Sequence, residues 1–421
     1  MKKGLTVLLA AAALAALLGC GKKEAAESGP ETIEMWGWNA GEIQKLMDAY
    51  KEKTGADVIL NYSAVAQAEA FQKLQTIVSS GLDMPDVVPS EVGQRGTMLA
   101  LDIWEDLEKA PYNFDVNLIF PYQQALLRNE AGALVALPID TSSAALAYKR
   151  DLAEKYLGTS DPQELEKMMP TWNDFVEKGK QVQGASGNRV FMFASLTNIF
   201  QIASGQNPAP IARNNRLDMT PVRAVIQQVV KFRDNRTSDN ITEGSPAYNA
   251  SYVDDLHIFY PCAGWSPNYQ IMPNDPNGPT HVWGLMVPPE GCFSWGGSAN
   301  MIPKKAKHGL AAYKFVSWFC SNEGTTWAYD NLDWNCSSVE AYKQSRLAEY
   351  TNSYFGDQNL GAVLFGAIDT INVRPVSPSD VIIQDTFNLV VENLNSDRNL
   401  AADRAIALFE TEFRNKAPDI Q

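Results

Sequence analysis

The sequence predicts an α/β protein with more than one hydrophobic core. Two observations carry this reading. Between residues 31 and 90 the apolar pattern alternates strand, helix, strand, helix, strand, an order that builds a parallel layer with right-handed crossovers. The chain has 421 residues, more than one ordinary core serves, so two or three domains are expected. Apolar content of 45% and charged content of 20% fit a folded soluble chain.

The elements follow in order. "TIEM" reads as the first strand, Thr32 to Met35. A helix starts near Gly41, with Ile43, Leu46, Met47 and Tyr50 on one face, and Thr54-Gly55 stops it. "DVILNY" is a second strand, and Phe71, Leu74, Ile77 and Val78 form a second helical stripe. "MPDVVPS" is a short buried strand. "NEAGALVALPID" reads as two short strands hinged at Gly132, and "AALAYKRDLAEKYL" runs from strand into helix. Thr171 caps the helix in "PTWNDFVEKGKQV". Thr220 caps the next, with Pro221 at its first helical position. "HVWGLMVPPEG" is a buried strand. "KHGLAAYKFVSWFCSNEG" and "LAADRAIALFETEFRNK" are long amphipathic helices.

Charge and cysteines restrict function. A net charge of −14 repels phosphate backbones and argues against nucleic acid as a partner. Lys2 and Lys3 precede an apolar run from Leu5 to Leu18, the pattern of a secretory leader. "LLGC" resembles a bacterial lipobox, which implies cleavage after residue 19 and acylation of Cys20. Leu18 is bulkier than the usual small residue there. An ordinary cleaved leader is the plainer alternative. "KKEAAESGP" behind it is polar and aperiodic, so residues 20–30 are expected to form a flexible tether. The four remaining cysteines, Cys262, Cys292, Cys320 and Cys336, allow three pairings in an oxidising compartment. Cys262–Cys292 with Cys320–Cys336 is the favoured set, and free buried thiols are the alternative. His257, His281 and His308 are the only histidines. They show no metal-ligand spacing, so no metal or other cofactor is expected.

Five stretches occur in a telling order: "IEMWGWNAGEIQKLMDAYKEKTGADVIL", "FQKLQTIVSSGLDMPDVV", "GALVALPIDTSSAALAYKRDL", "PTWNDFVEKGKQV" and "FSWGGSANMIPKKAKHGLAAYKFVSWFCSNEG". Together they resemble family 1 extracellular solute-binding proteins, the sugar-capturing subunits of bacterial ABC importers, over nearly all of the chain after the tether. The resemblance implies a two-lobed periplasmic-binding-protein-like fold, with discontinuous lobes and a hinge of several crossing segments. The crossings are expected near Pro138–Thr141, Trp295–Ser298 and Trp334–Ser337. Lobe 1 is then 31–139 plus 297–333, and lobe 2 is 140–296 plus 334–421. The pair Gly296-Gly297 suits a hinge. The resemblance also implies a monomer without catalysis that passes a carbohydrate to permease subunits, held at the membrane by a lipidated Cys20.

Ligands of open α/β sheets sit beyond the carboxyl ends of the strands. Loops expected there hold Trp36, Trp38 and Asn39, then Glu91, then Asp140, then Trp265 and Asn268, then Trp295, Gly296 and Gly297, and finally Trp334. Arg374 in "NVRPVSPSD" is a further candidate. A sugar ring has an apolar C–H face that packs on indole and a hydroxyl rim that needs fixed acceptors and donors. Each residue also has a structural alternative. Trp36 or Trp38 could plug a core, Trp295 could pack the hinge, and Asp140 could serve a turn. Trp104, Trp172, Trp318 and Trp327 read as structural, and Asp254-Asp255 as a solvated turn. Two other functions compete. A glycosidase would need a carboxylate pair, for which Glu91 and Asp140 are the candidates. The same fold could instead hold a polyamine or another small polar solute.

Overall fold

The computed structural model describes residues 29–421. The expected leader, Cys20 and most of the tether lie outside the described residues.

The first strand, Glu31–Gly37, pairs in parallel with Val58–Ala64. Between them runs the helix Ala40–Thr54, which buries Ile43, Leu46, Met47, Ala49 and Tyr50 and ends at Gly55 with φ 70°. Glycine adopts that left-handed geometry at no steric cost. The next helix, Gln67–Ser80, buries only Ala70 and Leu74 fully, and Val78 is exposed rather than on the core face. Val88–Ser90 pairs antiparallel with Ala299–Met301, which also pairs with Leu137–Pro138. Chain segments more than 150 residues apart therefore share one small sheet. Gly132 lies in a turn between bridged Arg128 and Leu134, not between two strands. The apolar core of this body joins residues from Ile33 to Leu137 with residues from Ala299 to Cys336.

The second body is built on a sheet in the order Trp283–Met286, Ser143–Lys149, His257–Ala263, Phe191–Phe193, with Phe293–Ser294 also paired to the second of these strands. Ser143–Lys149 and His257–Ala263 are buried along their whole length. One face carries a Phe-rich core with Phe175, Phe193, Phe232 and Phe259. The other carries Tyr260, Trp283, Tyr350 and Phe355. Phe120 and Tyr122, from the first part of the chain, pack in this last core, while Trp334 and Cys336 pack in the core of the first body.

Several local expectations change. Thr171 does cap its helix, in a reciprocal box with Asp174. The helix Met219–Asp234, however, is capped by Asp218, whose carboxylate accepts from the Thr220 amide at 2.8 Å. Pro221 is then the third helical residue. The single helix expected after Lys307 is two, Gly309–Trp318 and Asn322–Leu332. Ser321 caps the second, accepting from the Gly324 amide at 3.0 Å. The chain folds so tightly there that a Cβ on Gly324 would lie 2.0 Å from the Trp318 carbonyl oxygen. All four cysteines are free and buried, in place of the two expected disulfides. Cys320 turns its thiol to the Pro138 carbonyl and Cys262 to that of Ala263, both at 3.7 Å. Apolar burial, not cross-linking, accounts for their positions.

Candidate functional site

The two bodies meet along three segments that lie side by side. The Ile139 amide donates to the Ser298 carbonyl at 2.8 Å, the Thr141 amide to Asn335 at 2.9 Å, and the Trp295 amide to Ser142 at 2.9 Å. Gln123 ties two of the segments, donating to the Asp140 carbonyl at 2.6 Å and accepting from the Ser337 hydroxyl. The backbone is unusual here. Ser142 sits at φ 47°, Gly296 at 68° and Gly297 at 91°. A Cβ on Gly297 would lie 2.7 Å from that of Ser142, so this position needs glycine for both conformation and space.

A solvent-open gap of ≈ 500 Å³ lies against these segments. Both bodies line it. Trp38 and Asn39 come from the turn after the first strand, and Trp265 and Tyr269 from the segment after His257–Ala263. Asp140, Asp333, Trp334 and Asn335 come from the crossings. Trp334 is held by its indole N–H, which donates to the Tyr269 hydroxyl at 2.8 Å. Asp333 takes the left-handed conformation at φ 55°, and the Asn268 amide donates to its carboxylate at 3.0 Å. Burial raises the Asp333 carboxyl above its ordinary range, and the Asn268 bond opposes that rise.

Asp140 is the most perturbed acid in this gap. Burial pushes its carboxyl up to about 6, against the pull of nearby Arg95. Its Oδ1 is shielded and accepts no hydrogen bond within the protein. An orphaned buried acceptor is costly, and a ligand donor would satisfy it. Arg95 itself is buried, donating to Ser90 Oγ at 3.3 Å and to the Gly297 carbonyl. It stands among Glu91, Asp140 and Asp380.

A second gap of ≈ 1100 Å³ holds Glu91, Trp295, Gly296 and Arg374. Glu91 caps the helix Val92–Leu99, accepting from the Gly93 amide at 2.7 Å. Trp295 joins the two gaps through Trp265, their ring centroids 4.8 Å apart.

Nine of the twelve expected ligand residues therefore line one gap or the other. Three do not. Trp36 is buried in the first body's core with the Lys73 ammonium 4.3 Å from its ring centroid, because it still lies within the strand, whose last three residues are all buried. Asn268 braces Asp333 from behind. Gly297 shapes the crossing. Glu91 and Asp140, the pair a glycosidase would use, line different gaps. The sequence reading missed Tyr269, Asp333 and Asn335. Tyr269 follows Trp265 by one helical turn, its amide donating to the Trp265 carbonyl at 3.2 Å. Asp333 and Asn335 flank a tryptophan already singled out.

The arrangement is that of a two-lobed binding protein: ring faces and fixed polar groups from both bodies converge on one opening. A family model described as bacterial extracellular solute-binding protein matches residues 45–335, and the chain belongs to that family. A crystal structure described as extracellular solute-binding protein family 1 superposes with a TM-score of 0.81 at 21% identity, over 92% of this chain and 100% of the other. The galacto-N-biose/lacto-N-biose I-binding protein of Bifidobacterium longum, solved with lacto-N-biose, gives 0.75 at 16% identity, over 94% and 98%. These likenesses establish the two-lobed fold. The lactose-binding protein of Rhizobium radiobacter is 28% identical over 207 residues, so the match spans about half of each chain, 47% of both.

Proposed function

We propose that the protein captures a mono- or oligosaccharide between its lobes outside the cytoplasm and delivers it, unmodified, to the permease of an ABC importer. The observation that carries this reading is the convergence of Trp38, Trp265 and Trp334 with the unpartnered acceptor of Asp140 in one gap. Indole faces suit the C–H face of a pyranose, and Asp140, Asp333, Asn39 and Asn335 suit its hydroxyls. The names of the lactose- and lacto-N-biose-binding relatives support galactose-containing disaccharides as first candidates. Lobe 1 is taken as 31–139 plus 297–333 and lobe 2 as the remainder after the tether. The ligand favours the closed form because only there does it touch both. Among the described residues no helix is long and apolar enough to cross a membrane. An acyl chain on Cys20 would keep a monomer beside its permease, raising effective concentration.

A thermal-shift screen of the purified protein against disaccharides tests this. A ligand at 100 times its Kd adds about 2.7 kcal/mol of stability, and the same hit should change tryptophan emission. Trp265→Ala should abolish that response while leaving the ligand-free Tm nearly unchanged, because Trp265 is only half-buried. No response to any glycan would refute the reading.

One observation favours a second ligand class. The residues lining the ≈ 500 Å³ gap include two acids and no basic side chain, a lining that also suits an amine. Binding to a polyamine that collapses with added salt would select it.

A further inference from the structure

We propose that Asp151, Asp255 and His281 form a binding site for a divalent transition-metal ion of the zinc type, at the end of the second body's sheet opposite the crossings.

The site is made by three neighbouring strands. Ser143–Lys149 leaves the crossing at Ser143 and ends at Lys149, which pairs with Trp283. Asp151 follows that end, in the first turn of the helix Arg150–Leu157. His281 stands two residues before the strand Trp283–Met286, and Asp255 two residues before His257–Ala263. The Arg150 amide donates to the Val282 carbonyl at 3.0 Å, fixing the two ends of chain together. One potential ligand atom from each of the three side chains lies within 4.8 Å of the others.

The histidine is what distinguishes this group from an ordinary acidic cluster. His281 is 4% exposed, far more buried than its acidic neighbours. Its Nδ1 meets both carboxylate oxygens of Asp151 at 3.0 Å. That contact fixes the ring's orientation and places the Nδ1 proton, leaving Nε2 as the nitrogen with the lone pair. Nε2 is buried and has no hydrogen-bond partner. It faces Asp255 Oδ1 at 3.8 Å, too far for a hydrogen bond. Two ligands on a tetrahedral ion with bonds near 2.0–2.1 Å stand about 3.4 Å apart, so this separation needs only a small approach. Carboxylate, imidazole and metal in that order are a common zinc arrangement. Asp151 and Asp255 are mainly exposed, which leaves room for water ligands and an entry path. Imidazole selects zinc, nickel or cobalt over calcium and magnesium, which prefer all-oxygen sets. The nearby ammonium of Lys149 is engaged elsewhere, by the Ser251 and Asp254 carbonyls and the Asp254 carboxylate.

The test is calorimetric titration of chelator-treated, untagged protein with zinc sulfate alone, alongside cobalt(II) titration followed by its visible absorption. One saturable equivalent per chain is expected, with a zinc-dependent rise in Tm. His281→Ala should weaken the affinity at least about 100-fold, since even an outer partner of a metal ligand is commonly worth 10–100-fold. Asp255→Asn, which keeps size and exposure, should weaken it about 10-fold or more while leaving the metal-free Tm unchanged. Calcium should not compete. Absence of saturable zinc binding in the unaltered protein would overturn the proposal. So would equal binding by Asp255→Asn and His281→Ala, since the ion would then sit elsewhere.

Discussion

Replacing Asp140 by asparagine separates what this carboxylate does for binding from what it costs the fold. Burial holds the folded carboxyl at about 6, whereas an ordinary aspartate titrates at 3.8. A folded pKa above the unfolded one means that the folded state holds the proton more tightly. The contribution of this carboxyl to stability is therefore greatest below about pH 4 and falls as pH rises through 6. The gap between the two values, at 1.36 kcal/mol per unit, amounts to about 3 kcal/mol. Asp140 keeps partial exposure as a residue, so screening trims this toward about 2 kcal/mol. Asparagine is close to the neutral acid in shape and carries no charge. The difference in unfolding free energy between Asp140→Asn and the parent should thus grow by about 2–3 kcal/mol in the variant's favour from pH 4 to pH 7.5. Urea unfolding at several pH values measures it. Reading the pH trend of the difference removes any fixed cost of the amide. It also removes Asp380, whose carboxyl burial likewise raises to about 6 and which titrates in both proteins. The variant should lose most of its ligand-induced Tm rise at pH 7.5. A difference that stays flat across that range would refute the account of Asp140 as a strained, unsatisfied acid.

Other outcomes follow from the same geometry. Gly297→Ala should destabilise by about 1–3 kcal/mol, because φ 91° and the Ser142 side chain both oppose a Cβ; denaturant midpoints read this directly. Under denaturing, non-reducing conditions Cys262, Cys292, Cys320 and Cys336 should all titrate with a thiol reagent. In the folded protein they should be almost inert, since burial pushes the Cys262 and Cys292 thiols up to about 12. Arg95→Met should cost roughly 3–5 kcal/mol at pH 7.5 and less at pH 5, where Asp140 and Asp380 bind protons as the neighbouring cation is lost.

Much of the fold was legible because period and punctuation agreed. The stripe Ile43, Leu46, Met47, Tyr50 and the stop at Gly55 needed no tertiary information. The helix Asp380–Ser396 and the strand His257–Ala263 went unread. The strand is buried on both faces and carries no alternation, and its His257 looks polar until Asp254 and Asp239 are seen beside its ring, at 2.8 and 3.3 Å. Asp254, which reads as part of a solvated turn, instead braces Lys149 and His257. In the gap, tryptophans in loops betrayed themselves by their context. Asp333 and Asn335 did not, because their role depends on which segments run side by side. Trp36 failed as a candidate for a local reason: it lies in the buried end of the strand, which runs to Gly37, and only Trp38 stands past that end.

The helix Val92–Leu99 rests on the helix Asp380–Ser396 through Gly96. A Cβ there would lie 2.2 Å from both Asp380 Oδ2 and the Ser377 carbonyl oxygen. Thr97 seals the seam, its hydroxyl donating to the Pro378 carbonyl at 2.8 Å. Glycine and a threonine hydroxyl stand at this seam, so a single methyl at Gly96 acts as a wedge between the two helices. Gly96 is accordingly a lever on how closely the two helices approach, set behind Asp380 at the edge of the second gap, and alanine there would force them apart.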